Sequence, residues 1–172
     1  MLSKYRKASF NYAVKIGLTS GLTEERIKEG YDFICREGWA RRLGVAVIRQ
    51  LDPKIKVKQM GLYNGYDQEF PSGGTVIRME IKCRRYLKTF KEAAISANEN
   101  KGGFIESGKG WILEYYDILG KWWIWDLEKY TPEFRPKSYR HYKWTAAHKD
   151  NYMVVEDAYY FDRSKATYSG TT

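Results

Sequence analysis

The sequence predicts an α/β (α+β) domain, a mixed sheet flanked by helices. Three observations point there. The first third carries apolar residues at helical spacing, while from residue 54 onward short runs alternate apolar and polar residues. Turn signals such as Asn64-Gly65, Pro71-Ser72-Gly73-Gly74 and Gly102-Gly103 separate these runs. A length of 172 residues suits one domain with a single core, 1 to 172, with a basic aromatic C-terminal extension from about 131.

Residues 3 to 16 suit a helix ended near Gly17. Thr23 is a good N-cap, and Glu24 and Glu25 follow where the helix dipole favours acids. Ile27, Tyr31, Ile34 and Cys35 recur at helical spacing, Gly38 interrupts, and WARRLGVAVIRQL continues to Asp52-Pro53, as two helices or one kinked one. In KIKVKQMGL, Ile55 and Val57 alternate with Lys54, Lys56 and Lys58, a strand pattern. DQEF is a short second strand, and TVIRMEIKCRRY is the strongest strand in the chain. KTFKEAAISANEN reads as a helix. KGWILEYYDIL and KWWIWDLEKY, parted near Gly120-Lys121, read as a hairpin. TPEFRPKSYRHYKWTAAHKDN, broken by Pro132 and Pro136, reads as irregular. NYMVVEDAYYFD closes as a last strand, and the small polar tail ATYSGTT is expected to fray.

Composition narrows the function. The formal net charge is +9 and aromatic residues make up 16%, with 15 Tyr and 6 Trp. A basic domain rich in Tyr and Trp suggests a polyanionic partner, most simply nucleic acid. No apolar run is long enough to span a membrane, and no secretory signal is read at the N-terminus. Cys35 and Cys83 have neither metal nor disulfide spacing; buried free thiols and a cytoplasmic location are expected. His141 and His148, with no cysteine nearby, make no zinc site, and no P-loop or G-x-S-x-G stretch is present.

The strand TVIRMEIKCRRY sets Ile77, Met79, Ile81 and Cys83 on one face and Arg78, Glu80, Lys82 and Arg84 on the other. Asp67 lies upstream across the Pro/Gly turn. A hairpin there brings Asp67 beside Glu80, and two such carboxylates make an oxygen site suited to Mg²⁺ or Mn²⁺. Lys82 would orient a water and offset charge on a phosphoryl oxygen, and the Ile81 carbonyl would complete the ligand set. The plainer reading is a cross-strand ion pair on a solvated face, which contributes about 0.2–1 kcal/mol.

Asp67 followed by Glu80-Ile81-Lys82 resembles the D…(D/E)xK motif of the PD-(D/E)xK nuclease superfamily. The wider NGYDQEF…GGTVIRMEIK resembles the wording of restriction-endonuclease-like domains over about residues 22 to 130. The resemblance implies a restriction-endonuclease-like core and metal-dependent phosphodiester hydrolysis. It makes Asp67 and Glu80 metal ligands and Lys82 the catalytic lysine, with a further acid on the preceding helix, Glu37 before its rivals Glu29 and Glu25. Asn64-Gly65-Tyr66 stands where the motif places Pro, and TFKEAAISANE lacks the glutamine of some branches; Lys88 or Lys91 could substitute near the phosphate.

Two readings follow. One is an Mg²⁺-dependent endodeoxyribonuclease acting on DNA (RNA remaining open), with a homodimer as a possible state. Arg78, Arg84 and Arg85 on the strand and Lys137, Arg140 and Lys143 in RPKSYRHYKW would hold phosphates, and the interleaved Tyr139, Tyr142 and Trp144 would stack on bases. The other is a non-catalytic nucleic-acid-binding or inhibitor protein using the same basic strand face.

Overall fold

A computed structural model of the chain describes residues 3 to 62, 64 to 84, 91 to 100, 103 to 144 and 151 to 172; side chains are described except at 3 to 4, 141 to 144 and 151 to 153. Arg85 and Lys88 lie outside these residues. The fold is α+β. Helices α1 (Ser3–Lys15), α2 (Glu24–Glu29) and α3 (Tyr31–Leu51) precede strands β1 (Lys58–Gln59), β2 (Gln68–Ser72), β3 (Thr75–Arg84), β4 (Glu92–Ser96), β5 (Trp111–Tyr116), β6 (Lys121–Asp126), β7 (Glu133–Trp144), β8 (Asn151–Asp162) and β9 (Tyr168–Thr171).

The strands form two sheets. The larger is mixed, ordered β1-β2-β3-β5-β6-β9, with β3 and β5 parallel; the smaller is antiparallel, ordered β4-β8-β7. The molecule has three layers. Val47 and Ile48 of α3 bury Phe70, Met79, Ile81, Leu113 and Ile124 on one face of the large sheet. On the opposite face, Ile112 and Trp125 pack against Ala93, Ile95 and Phe161 of the small sheet. Full burial of an aliphatic side chain contributes about 1.5–3 kcal/mol, so two apolar interfaces on one sheet hold the layers together.

Helix α3 runs unbroken through Gly38, where a Cβ would fall on the Ser9 carbonyl oxygen of α1. The glycine is a crossing point, not an interruption. Gly44, two turns on, lets α3 lie directly on Gln68 and Ile81.

Four expectations are corrected. The helix read over 88 to 100 is, among the described residues, strand β4 followed by a 3-10 turn at Ala97–Glu99. Alanine and glutamate favour helix locally, but Ala93 and Ile95 fill the seam between sheets while β8 supplies the backbone partner. The stretch read as irregular holds the long strand β7. Pro136 falls where the β7–β8 register shifts between Arg135 and Tyr139, on the outer strand of its sheet, where a missing N–H is tolerated. The tail does not fray: β9 pairs with β6, and Gly170 lets its backbone lie against the Trp122 indole. The first predicted strand shrinks to Lys58–Gln59, with Ile55 and Val57 packed on the core without strand pairing.

Both cysteines are free; Cys35 is buried and Cys83 half-buried against the α3 side. Burial, with a smaller contribution from Glu37, pushes the Cys83 thiol well above its ordinary 9.0. The unfolded chain therefore loses this proton first, so stability is full below about pH 9 and falls as pH rises above it. We expect alkylation of Cys83 at pH 8 to be slow in the native protein and fast in urea; equal rates would show the thiol to be open.

Among the described residues, no helix is long and apolar enough to cross a membrane.

Candidate active site

The β2–β3 hairpin turns at Gly73-Gly74, both at positive φ, which only glycine adopts without strain. Its antiparallel register pairs Gln68 with Met79. The main-chain N–H of Asp67 also donates to the Met79 carbonyl, at 3.0 Å, one residue out of that register, so Asp67 stands at an irregular end of the ladder. Its carboxylate reaches the N–H of Ile81, the residue after Glu80, and both acids are buried, at 7% and 4% exposure.

The Asp67 carboxylate is fixed on both oxygens. Oδ2 accepts from the Ile81 N–H at 2.7 Å, and Oδ1 pairs with Arg41 Nη2 at 3.1 Å. Arg41, on α3 and 1% exposed, also donates through Nη1 to the Asp67 carbonyl and to the Met60 carbonyl at 2.7 Å. Glu37, one turn earlier, lies 3.6 Å from Arg41 Nη2. It therefore faces Asp67 through the guanidinium. The rivals Glu25 and Glu29 sit exposed on α2, with no such contact recorded.

Lys82 Nζ lies 2.8 Å from Glu80 Oε1 and donates to the Glu99 carbonyl at 3.0 Å. Arg84 pairs with Glu99 at 2.7 Å and reaches the Ala94 carbonyl of β4 at 3.4 Å. On the neighbouring strand, Glu114 takes both arms of Arg163, each at 2.9 Å. Arg163 follows β8, donates to the Glu92 carbonyl at 2.6 Å and stacks 4.9 Å from the Trp123 ring.

The charged face of β3 is therefore neither solvated nor open. The small sheet covers it from Glu80 onward, and its charges form an ionic seam between the sheets. Only Arg78, toward the hairpin, is exposed, and it lies over the Tyr66 ring at 5.2 Å. Tyr66 in turn donates to Glu69 at 2.9 Å, which holds the Glu69 carboxyl below its usual value.

Among the described residues no group of three or more metal-ligating side chains gathers. Magnesium commonly keeps several waters and takes only one or two carboxylates. Asp67 and Glu80 are hard oxygen donors of the kind that fit that habit, the first held by Arg41 and the Ile81 N–H, the second by Lys82. The N–H and C=O of a strand residue point to the same side; since the Ile81 N–H meets Asp67, its carbonyl points to that side too. A cavity of about 420 Å³ lies elsewhere, at the hairpin tip among Phe70, Trp111, Tyr168, Leu51 and Asp52; neither Asp67 nor Glu80 lines it.

No family model matches the chain, and no curated protein does. Its structure is similar to that of Hjc, a Holliday junction resolvase from the archaeal hyperthermophile Archaeoglobus fulgidus. The two share 12% identity over 77% of this chain and 90% of that one, with a TM-score of 0.42.

Of the other residues read as phosphate contacts, Lys137 and Arg140 are exposed on β7, and Lys143 lies on the same strand. Arg84 is turned into the seam. The sequence reading missed Arg41, Glu99, Glu114 and Arg163. Glu37 and Arg41 at i,i+4 were a visible pair; the others gain meaning only once β4 and β8 are known to lie over β3.

Proposed function

We propose that the chain is a metal-dependent nuclease acting on DNA. The observation that carries this is the buried Asp67 carboxylate bonded at 2.7 Å to the N–H of Ile81, between buried Glu80 and Lys82, with Lys82 Nζ at 2.8 Å from Glu80. Asp67, Glu80 and the Ile81 carbonyl would hold Mg²⁺ or Mn²⁺, which when bound supplies Lewis-acid polarisation of the scissile phosphate. Lys82 orients the attacking water beside Glu80 and offsets the charge that grows on the phosphoryl oxygens. Arg41 fixes the Asp67 carboxylate in direction, and Glu37 steadies Arg41. Arg78, on the open end of β3, meets the DNA backbone, as does β7.

A second reading has its own support. Asp67 and Glu80 are each neutralised by a buried cation, as in a structural ionic layer, which suits a non-catalytic DNA-binding or inhibitor protein.

Supercoiled plasmid, single-stranded DNA and a four-way junction, each with Mg²⁺ or Mn²⁺, separate the two. The wild type is expected to cut at least one, EDTA to stop it, and Glu80→Gln to abolish it. Lys82→Ala is expected to slow cleavage about 10²–10³-fold, the usual cost of losing one group that stabilises developing charge. No cutting of any of the three by the wild type would discard the nuclease reading in favour of the second.

A further inference from the structure

Strands β7 and β8 are each twelve residues long, yet β4 pairs only with Ala158–Asp162 of β8. Beyond that point six register pairs, from Tyr139↔Glu156 to Trp144↔Asn151, have no third strand beside them among the described residues. At about 3.3 Å per residue this is a two-stranded ribbon about 20 Å long running on past the end of β4. Its base is seated on the 3-10 turn at Ala97–Glu99, where buried Glu156 accepts from Asn98 at 2.5 Å.

The ribbon has a built-in bend. At the register shift between Arg135 and Tyr139, Lys137 adopts φ 46° and its N–H donates to Asp157 Oδ1 at 2.9 Å. Such bulges redirect a strand and sharpen its twist. Arg135, at the base, is held by Glu92 and Glu133 and stacks 4.0 Å from Tyr160, which anchors the arm to the small sheet.

The β7 side of the arm is basic. From Phe134 to Trp144 no acid occurs, while Arg135, Lys137, Arg140 and Lys143 do; on the β8 side of the arm the acids are Glu156, which is buried, and Asp157, which accepts from the Lys137 N–H. Lys137 and Arg140 are exposed, and Val155, opposite Arg140, is 42% exposed.

We propose that the β7–β8 ribbon is a DNA-binding arm that enters the major groove of a B-form duplex. The groove is about 12 Å wide and admits a two-stranded ribbon, whose cations then meet the phosphates along its rims. A-form RNA has a major groove too deep and narrow for this. The inference deepens the nuclease reading and rests on it for DNA as partner, but its test does not pass through cleavage.

Binding of a 25-base-pair duplex is measured in EDTA by fluorescence anisotropy, for the wild type and for the triple variant Lys137→Ala/Arg140→Ala/Lys143→Ala. The variant is expected to bind at least about 10-fold more weakly at 0.15 M salt. Its plot of log K against log salt should be shallower by about 2–3, since each lost phosphate contact removes about 0.9. Methylation of guanine N7 by dimethyl sulfate reports the major groove directly: the wild type should protect it over part of a turn, the variant should not. A matching RNA duplex should bind more weakly. Unchanged affinity and slope in the variant, absent N7 protection, or equal affinity for the RNA duplex would each overturn the arm. Because no metal is present, a protein that binds through the ribbon but never cuts fails only the nuclease reading.

Discussion

Arg163→Ala should lower the stability of the domain by about 3–5 kcal/mol in urea denaturation, the usual cost of breaking a buried ion pair from one side. The arginine and its partner Glu114 are 4% and 3% exposed, and the guanidinium meets the carboxylate through two parallel bonds. Truncation strands Glu114 between two sheets and also removes the donor to the Glu92 carbonyl and the stack on Trp123. Because domains are stable by only about 5–15 kcal/mol, this is a large fraction of the whole. Arg163→Met with Glu114→Leu should recover most of the loss, since the apolar pair leaves no buried charge. A single variant within about 1 kcal/mol of the wild type would show that water reaches the pair.

Arg41→Ala should cost a similar amount, about 3–5 kcal/mol, but its loss should respond to metal. The guanidinium neutralises Asp67 and satisfies two main-chain carbonyls, that of Met60 just after β1 and that of Asp67 just before β2. Without it Asp67 keeps only the Ile81 N–H, and a divalent cation is the natural replacement. A ligand present at 100 times its dissociation constant stabilises by about 2.7 kcal/mol. Thermal melts should therefore show Mg²⁺ stabilising Arg41→Ala more than the wild type, and Asp67→Asn in the same background should abolish the difference. If Mg²⁺ leaves the melt of Arg41→Ala unmoved, Asp67 is not part of a cation site, whatever the protein does with DNA.

Some of this was written in local sequence. The alternation of Ile77 to Arg84 and the glycine pair before it were enough to predict the hairpin of β2 with β3. The pairing of β5 with β6 was equally plain. What local pattern could not carry was the second sheet. EAAIS becomes a strand only because β8 borders it, and β8 arrives much later in the chain. For the same reason the charges of β3 looked solvated: their partners Glu99 and Arg163 are reached through tertiary folding, not through spacing. Arg41 was hidden differently. An arginine on an amphipathic helix is normally read as solvent-facing, and only the carbonyls of Met60 and Asp67, with the Asp67 carboxylate, explain its inward turn.

The pairing of β4 with β8 has a consequence during synthesis. Glu92 and Asp162 are partners about 70 residues apart in the chain. At about 5–20 residues per second, β4 waits roughly 4–14 s after translation before its partner strand exists. Throughout that interval the open edge of β4 and the charged side of β3 beneath it are uncovered. The nascent chain thus passes through a stage in which the large sheet lacks only β9 while β4, and then β7, have no strand to pair with, the stage at which a holding chaperone would have most to grasp.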